Sequence, residues 1–216
     1  MSGTTDRSVL IAGGGIGGLS AAVALSQRDI AAHVLEAEPD INESGAGIQI
    51  GPNGSRILLS WGLGEALDAQ AARPEAIVIG DGLSGRILAT VPLGHEAERR
   101  YGAPYYVAER RVLHRLLLEA ASRSPNVTIS TGFRLARLRE AGRRVIAASD
   151  DGREAEGSAL IGADGIHSRI RSRLAEAAPF FSGRNAWRAT AQTGSFDVGA
   201  PDNNVQLWLG PKAHLV

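Results

Sequence analysis

Gly13-x-Gly15-x-x-Gly18 is the arrangement in this chain with the plainest chemical meaning. The first glycine permits a tight turn, the second lets a diphosphate approach the backbone, and the third lets a helix lie close on a strand. Free N–H groups at the start of that helix, here Ile16 and Gly17, attract phosphate through hydrogen bonding and the helix dipole. Glu36 stands where an acid is needed to accept hydrogen bonds from ribose hydroxyls. Together these residues predict dinucleotide binding. An acid at Glu36 disfavours NADP in that site, whereas FAD and NAD both fit.

A second stretch, Gly162-Ala163-Asp164-Gly165-Ile166-His167-Ser168-x-x-Arg171, joins an apolar strand to a helix. Two readings of it stay open. Asp164 and Gly165 could serve a second dinucleotide segment, or Asp164 and Ser168 could cap the helix. Gln49, in the glycine-rich stretch 42–54, is either a ligand-side amide or a turn stabiliser. Arg110 opens a helix, where a cation opposes the dipole, and that misfit favours phosphate contact. The arginines at 169, 171 and 173 read as a solvated helix face.

The elements that must position these residues follow from hydrophobic patterning. Val9–Ala12 is a short apolar run suited to a strand buried on both faces. A helical pattern follows through Leu19, Ala22 and Val23, then a strand at 32–36: a βαβ unit. A helix is expected over 55–60, a hairpin over 76–91, a helix along Val112–Ala121, and short strands at 127–129, 133–138, 145–148 and 159–164. Stretch 42–54 reads as irregular, 94–106 as polar and then aromatic, 167–175 as a basic helix, and 186–216 as β-structure. The expected fold class is α/β. A Rossmann-like domain, a parallel sheet with helices, takes 1–71 and 108–178, interleaved with a β-rich layer at 72–107 and 179–216.

Composition narrows the function classes. The 216 residues carry 23 basic and 23 acidic side chains, so no net charge draws the chain to nucleic acid or an anionic membrane. There is no cysteine, which excludes disulfides, thiolate metal sites and a Cys nucleophile. The five histidines show no metal-ligand spacing, so no metal is expected. The uncharged run 8–27 is broken by five glycines and is not a membrane span. With no targeting signal recognised, a cytoplasmic location is expected.

Taken together, the motifs resemble the class A flavoprotein monooxygenases, in the branch of salicylate and 3-hydroxybenzoate hydroxylases. The resemblance is carried by the glycine motif with Glu36, by Gly45–Gly54, by Arg99–Tyr105 with Arg110-x-x-Leu113, by Gly162–Arg171, and by Val205–Pro211 with His214. It implies a p-hydroxybenzoate-hydroxylase-like fold and an FAD cofactor reduced by NADH or NADPH. It further implies transfer of one atom of dioxygen to a small aromatic substrate. The residues it assigns to FAD are Gly13, Gly15, Ile16, Gly17, Gly18, Glu36, Gly47, Ile48, Gln49, Arg110, Asp164 and Gly165. Arg188 and His214 are the substrate-side candidates, and no protein residue is expected to act as a catalytic nucleophile. Arg111-Val112 departs from the usual small residue and acid, which leaves Arg110 and Arg111 as rival cofactor contacts, with Arg110 favoured. Relatives are longer and carry a late Gly-Asp motif, so the resemblance implies a fragment or a truncated product. An epoxidase, halogenase or reductase of the same fold, or a non-catalytic dinucleotide module, are the alternatives. A homodimer is an open expectation.

Overall fold

The computed structural model describes residues 8–41, 45, 47–175, 178–189 and 202–216. The first half runs β1 (Val9–Ala12), α1 (Ile16–Ser26), β2 (Ala32–Leu35), β3 (Gly47–Ile50), α2 (Pro52–Ser60), α3 (Gly64–Asp68), β4 (Ala76–Asp81), β5 (Ile87–Pro92), α4 (Gly94–Tyr101) and β6 (Tyr106–Glu109). The second half runs α5 (Arg110–Arg123), β7 (Val127–Ser130), β8 (Leu135–Ala141), β9 (Arg144–Ser149), β10 (Glu154–Gly157), β11 (Ala159–Gly162), α6 (Arg169–Leu174), β12 (Asn204–Leu209) and β13 (His214–Leu215).

The chain divides into two compact units, Met1–Ser44 with Leu113–Ala186 and Gly45–Val112 with Trp187–Val216. This division differs from the sequence-based one chiefly at 45–71, which groups with the second unit.

The first unit is built on a parallel sheet of order β11-β1-β2-β7. β1 occupies an interior position, with Val9 opposite Ala159 on one side and Ala32 on the other. A strand flanked and covered in this way must be apolar throughout, and Leu10 and Ile11 are fully buried. α1 buries Gly18, Leu19, Ala22 and Val23. The antiparallel strands β8, β9 and β10 form a second layer, and Phe133, Ala147 and Ala155 pack with Leu10 and Leu35.

His33 on β2 and Ser130 on β7 share a hydrogen bond of 2.8 Å. Burial pulls the His33 pKa below its ordinary 6.5, because the charged ring loses hydration. The unfolded chain therefore takes up this proton before the folded chain does, so stability is retained above about pH 6.5 and falls as the pH drops below it. Thermal denaturation between about pH 7 and pH 5 should show this loss, and H33Q should flatten it.

The second unit holds the sheet β13-β12-β4-β5 and the ribbon β3-β6. β4 and β5 form the expected antiparallel hairpin, and β12 joins β4 in parallel, with Asn204 opposite Ala76. Pro52 starts α2 three residues earlier than expected, at a position where a missing N–H costs nothing. Tyr106 is fully buried, and its hydroxyl donates to Asp68 at 2.6 Å and accepts from Arg73 at 3.0 Å.

Two expectations need correction, and the polar stretch at 94–101, given no element from the sequence, gains one. The stretch 42–54 is not wholly irregular, because Gly47–Ile50 pairs with β6. Residues 94–101 form a helix closed by Gly102 in the left-handed conformation. Residues 186–189 form no strand, and the rest of the expected β-structure before 202 lies outside the described residues. No helix among the described residues is long and apolar enough to cross a membrane.

Candidate dinucleotide site

Gly13 leaves β1 with a φ of 105°, a conformation that side chains resist. Its N–H donates to Leu35 O at 2.8 Å, and a Cβ there would lie 2.4 Å from Ala163 O. The glycine turn and the start of the Asp164 segment are therefore in direct contact. Gly18 is equally constrained, since a Cβ would stand 1.9 Å from Gly13 O. Around Gly15 and Gly17, by contrast, a Cβ would meet nothing within 4 Å. The turn is closed on its inner side and open on its outer side.

α1 begins at this open side. Its N-cap, Gly15, has no side chain to accept from the first-turn amides, and no acid occupies that turn. Amides in this state suit an anion. Glu36 lies beside them. Its Oε2 accepts from Gly14 N–H at 2.5 Å and its Oε1 from Glu38 N–H at 2.8 Å. The carboxylate thus ties the end of β2 to the glycine turn, and each oxygen keeps a lone pair for a further donor.

Asp164 serves the capping alternative. Its Oδ2 accepts from Arg169 N–H at 2.7 Å and its Oδ1 from the Ser168 hydroxyl at 2.5 Å. Ser168 in turn accepts from Arg171 N–H at 2.9 Å, which completes the cap of α6. D164A should destabilise the fold by about 1 kcal/mol in urea denaturation, the usual loss for a helix cap. Gly165 follows with a φ of 79° and open space where a Cβ would stand. Arg169 and Arg173, expected as a solvated face, donate to the carbonyls of Leu135 and Leu138, each at 2.7 Å.

In the second unit, Gly47, Ile48 and Gln49 lie opposite Glu109, Ala108 and Val107. The Tyr105 hydroxyl donates to Gln49 Oε1 at 2.6 Å. Burial pushes the Tyr105 phenol up, so it keeps its proton at neutral pH. Arg111 pairs with Glu109. The Arg110 side chain runs over Gly45, where a Cβ would stand 3.2 Å from its Cδ. Arg188 is exposed in a stretch without regular structure, and His214 is exposed on the edge strand β13. Among the described residues neither side chain has a hydrogen-bond or ion-pair partner. No group of three metal-ligating side chains occurs among the described residues.

One site residue was not anticipated from the sequence. His114 is buried on α5, and its Nε2 lies 2.8 Å from Gly14 O. The available signal was a histidine three residues before Leu117 on the apolar side of a helix.

Comparison with known proteins places this geometry. The chain is 37% identical over 211 residues to a 3-hydroxybenzoate 6-hydroxylase of Polaromonas naphthalenivorans, covering 98% of this chain and 53% of that protein. It is 36% identical over 212 residues to a 3-amino-4-hydroxybenzoate 2-monooxygenase of Streptomyces cremeus, covering 97% and 53%. The chain spans about half the length of these curated relatives. Among solved structures, Klebsiella pneumoniae HpxO complexed with FAD and uric acid superposes with a TM-score of 0.67 at 32% identity, over 77% of this chain and 41% of that one. The α/β fold is that of the p-hydroxybenzoate-hydroxylase-like flavoproteins. The family model described as an FAD binding domain matches residues 6–212, and the chain belongs to that family.

Proposed function

We propose that this chain holds FAD within a monooxygenase that hydroxylates a small aromatic acid of the hydroxybenzoate class, with NADH or NADPH as reductant and dioxygen as oxygen donor. The observation that carries this reading is the open, uncapped start of α1 beside a carboxylate already anchored to the glycine turn. The hydroxybenzoates named for the two curated relatives supply the substrate class.

Bound FAD would supply reduction by the nicotinamide and activation of oxygen. The chain's own residues bind and orient. The amides of Gly15, Ile16, Gly17 and Gly18 donate to the diphosphate, which a neutral loop with a helix dipole stabilises. The Glu36 carboxylate accepts from the ribose hydroxyls while still holding Gly14. Gly13 keeps the two motif turns against each other by the space it leaves, and Asp164 holds its own turn by capping α6, with both turns at the cofactor. Gly165 leaves room for a ligand to approach the backbone. Gly47, Ile48 and Gln49 form the strand assigned to the flavin side, with Gln49 oriented by Tyr105. Arg110, whose side chain runs over Gly45, supplies positive charge. No reading of Arg188 or His214 as substrate contacts is supported by a partner in the structure.

Absorbance spectroscopy after refolding with FAD, followed by desalting, tests the cofactor. A flavin band that co-elutes with the protein is expected; colourless protein overturns the reading. Oxygen uptake and product analysis with NADH or NADPH and 3-hydroxybenzoate, using the full-length protein, test the activity. Retention of FAD with no hydroxylation of any hydroxybenzoate overturns the activity and leaves the cofactor assignment standing.

A further inference from the structure

The geometry points to His114 as a positioning residue that sets the direction of the Gly14–Gly15 peptide and thereby aims the Gly15 N–H at the diphosphate of a bound dinucleotide. This assignment rests on the dinucleotide reading above. Three observations lead to it. The buried His114 ring places Nε2 at 2.8 Å from Gly14 O. A carbonyl oxygen only accepts, so the ring carries its proton on Nε2. The Gly14 N–H is held separately, by Glu36 Oε2. Both peptide planes that meet at Gly14 are therefore pinned by side chains, one from the end of β2 and one from α5, 100 residues downstream.

The consequence follows from peptide geometry. In a planar trans peptide the C=O and the next N–H point in opposite directions. Turning Gly14 O to His114 turns Gly15 N–H the opposite way, away from the ring, at a residue where an added Cβ would meet nothing within 4 Å. Among the described residues that N–H has no acceptor. Glycines resist rotation weakly, and two of them share this peptide. Without His114 the plane is free to turn over, which would present a carbonyl oxygen to an anion in place of a donor.

The test compares H114L, which removes the donor, with H114Q, whose amide can still donate. Dissociation constants for FAD and ADP are measured by fluorescence and calorimetry at matched folded fractions. H114L should bind both nucleotides at least about tenfold more weakly, and H114Q should recover most of that loss. A merely structural role would lower melting temperature in both variants without this donor-dependent recovery. If H114L does not fold, H114M replaces it. Nitrogen NMR of the ligand-free wild-type chain should show the His114 ring protonated at Nε2. A ring bare at Nε2, or wild-type affinity in the donor-free variant, or H114Q no better than that variant, overturns the role of His114. Failure of the wild-type chain to bind either nucleotide instead overturns the dinucleotide reading, and this assignment with it.

Discussion

Replacing Gly18 with alanine is expected to unfold the nucleotide turn, whereas the same change one residue earlier is expected to stabilise it. In G18A the new methyl would stand 1.9 Å from Gly13 O, a backbone atom that cannot move without disrupting the contact between Gly13 and Ala163. The cost should reach at least about 3 kcal/mol, above the usual range for an overfilled site because the obstacle is main chain. In G17A the methyl enters open space within the first turn of α1. Alanine loses less backbone entropy than glycine on folding, so a gain of about 0.5–1 kcal/mol is expected. G15A separates fold from binding. Gly15 has an ordinary extended backbone, so stability should stay within about 1 kcal/mol of the parent. Its methyl would occupy the space needed for close phosphate approach, and FAD affinity should fall at least about tenfold. Urea denaturation and FAD titration of the three variants decide the matter. Equal stability of G18A and G17A would contradict the packing argument. Undiminished FAD affinity in G15A would contradict the placement of the diphosphate.

Glu36 is expected to matter twice, once to the turn and once to the ligand. E36A strips the acceptor from Gly14 N–H and Glu38 N–H together. The exposed part of the site will hydrate one of them, so a loss of about 1–3 kcal/mol in stability is expected. E36Q does not restore the parent. A carboxamide offers one acceptor oxygen against two donors, and its NH2 faces an N–H. FAD affinity should drop about 10- to 100-fold in both variants, the loss expected when hydrogen bonds to a charged group are removed. E36Q should also lose the discrimination against a 2′-phosphate, which competition between ADP and its 2′-phosphorylated form would reveal. Parent-like affinity in E36A would mean that the sugar is held elsewhere.

The parts of this fold that were readable in the sequence are those where a local pattern has one physical solution. An apolar tetrapeptide, three glycines at fixed spacing and a terminal acid specify strand, turn and helix within Val9–Glu36. The hairpin β4–β5 was readable because two β-branched runs flank a Gly-Asp-Gly turn. α4 was not, because Ala97 is its single buried residue, which leaves no apolar stripe to read. The parallel pairing of β12 with β4 joins residues too far apart for any local signal. At Asp164, capping and ligand chemistry demand the same residue type, so the sequence could not show the cap that the hydrogen bonds reveal. His114 was hidden for a related reason. Its partner is a backbone carbonyl, which leaves no trace in residue identity.

The position of β1 in its sheet has a consequence for biosynthesis. The strand that completes one of its flanks, β11, lies about 150 residues downstream. At roughly 5–20 residues per second, a ribosome needs about 8–30 s to deliver it. During that interval the nascent glycine turn lacks the neighbour that braces Gly13, and the bare flank of β1 is available to other strands. Chaperone occupancy should therefore peak while the middle of the chain is being translated and decline once Gly162 clears the exit tunnel.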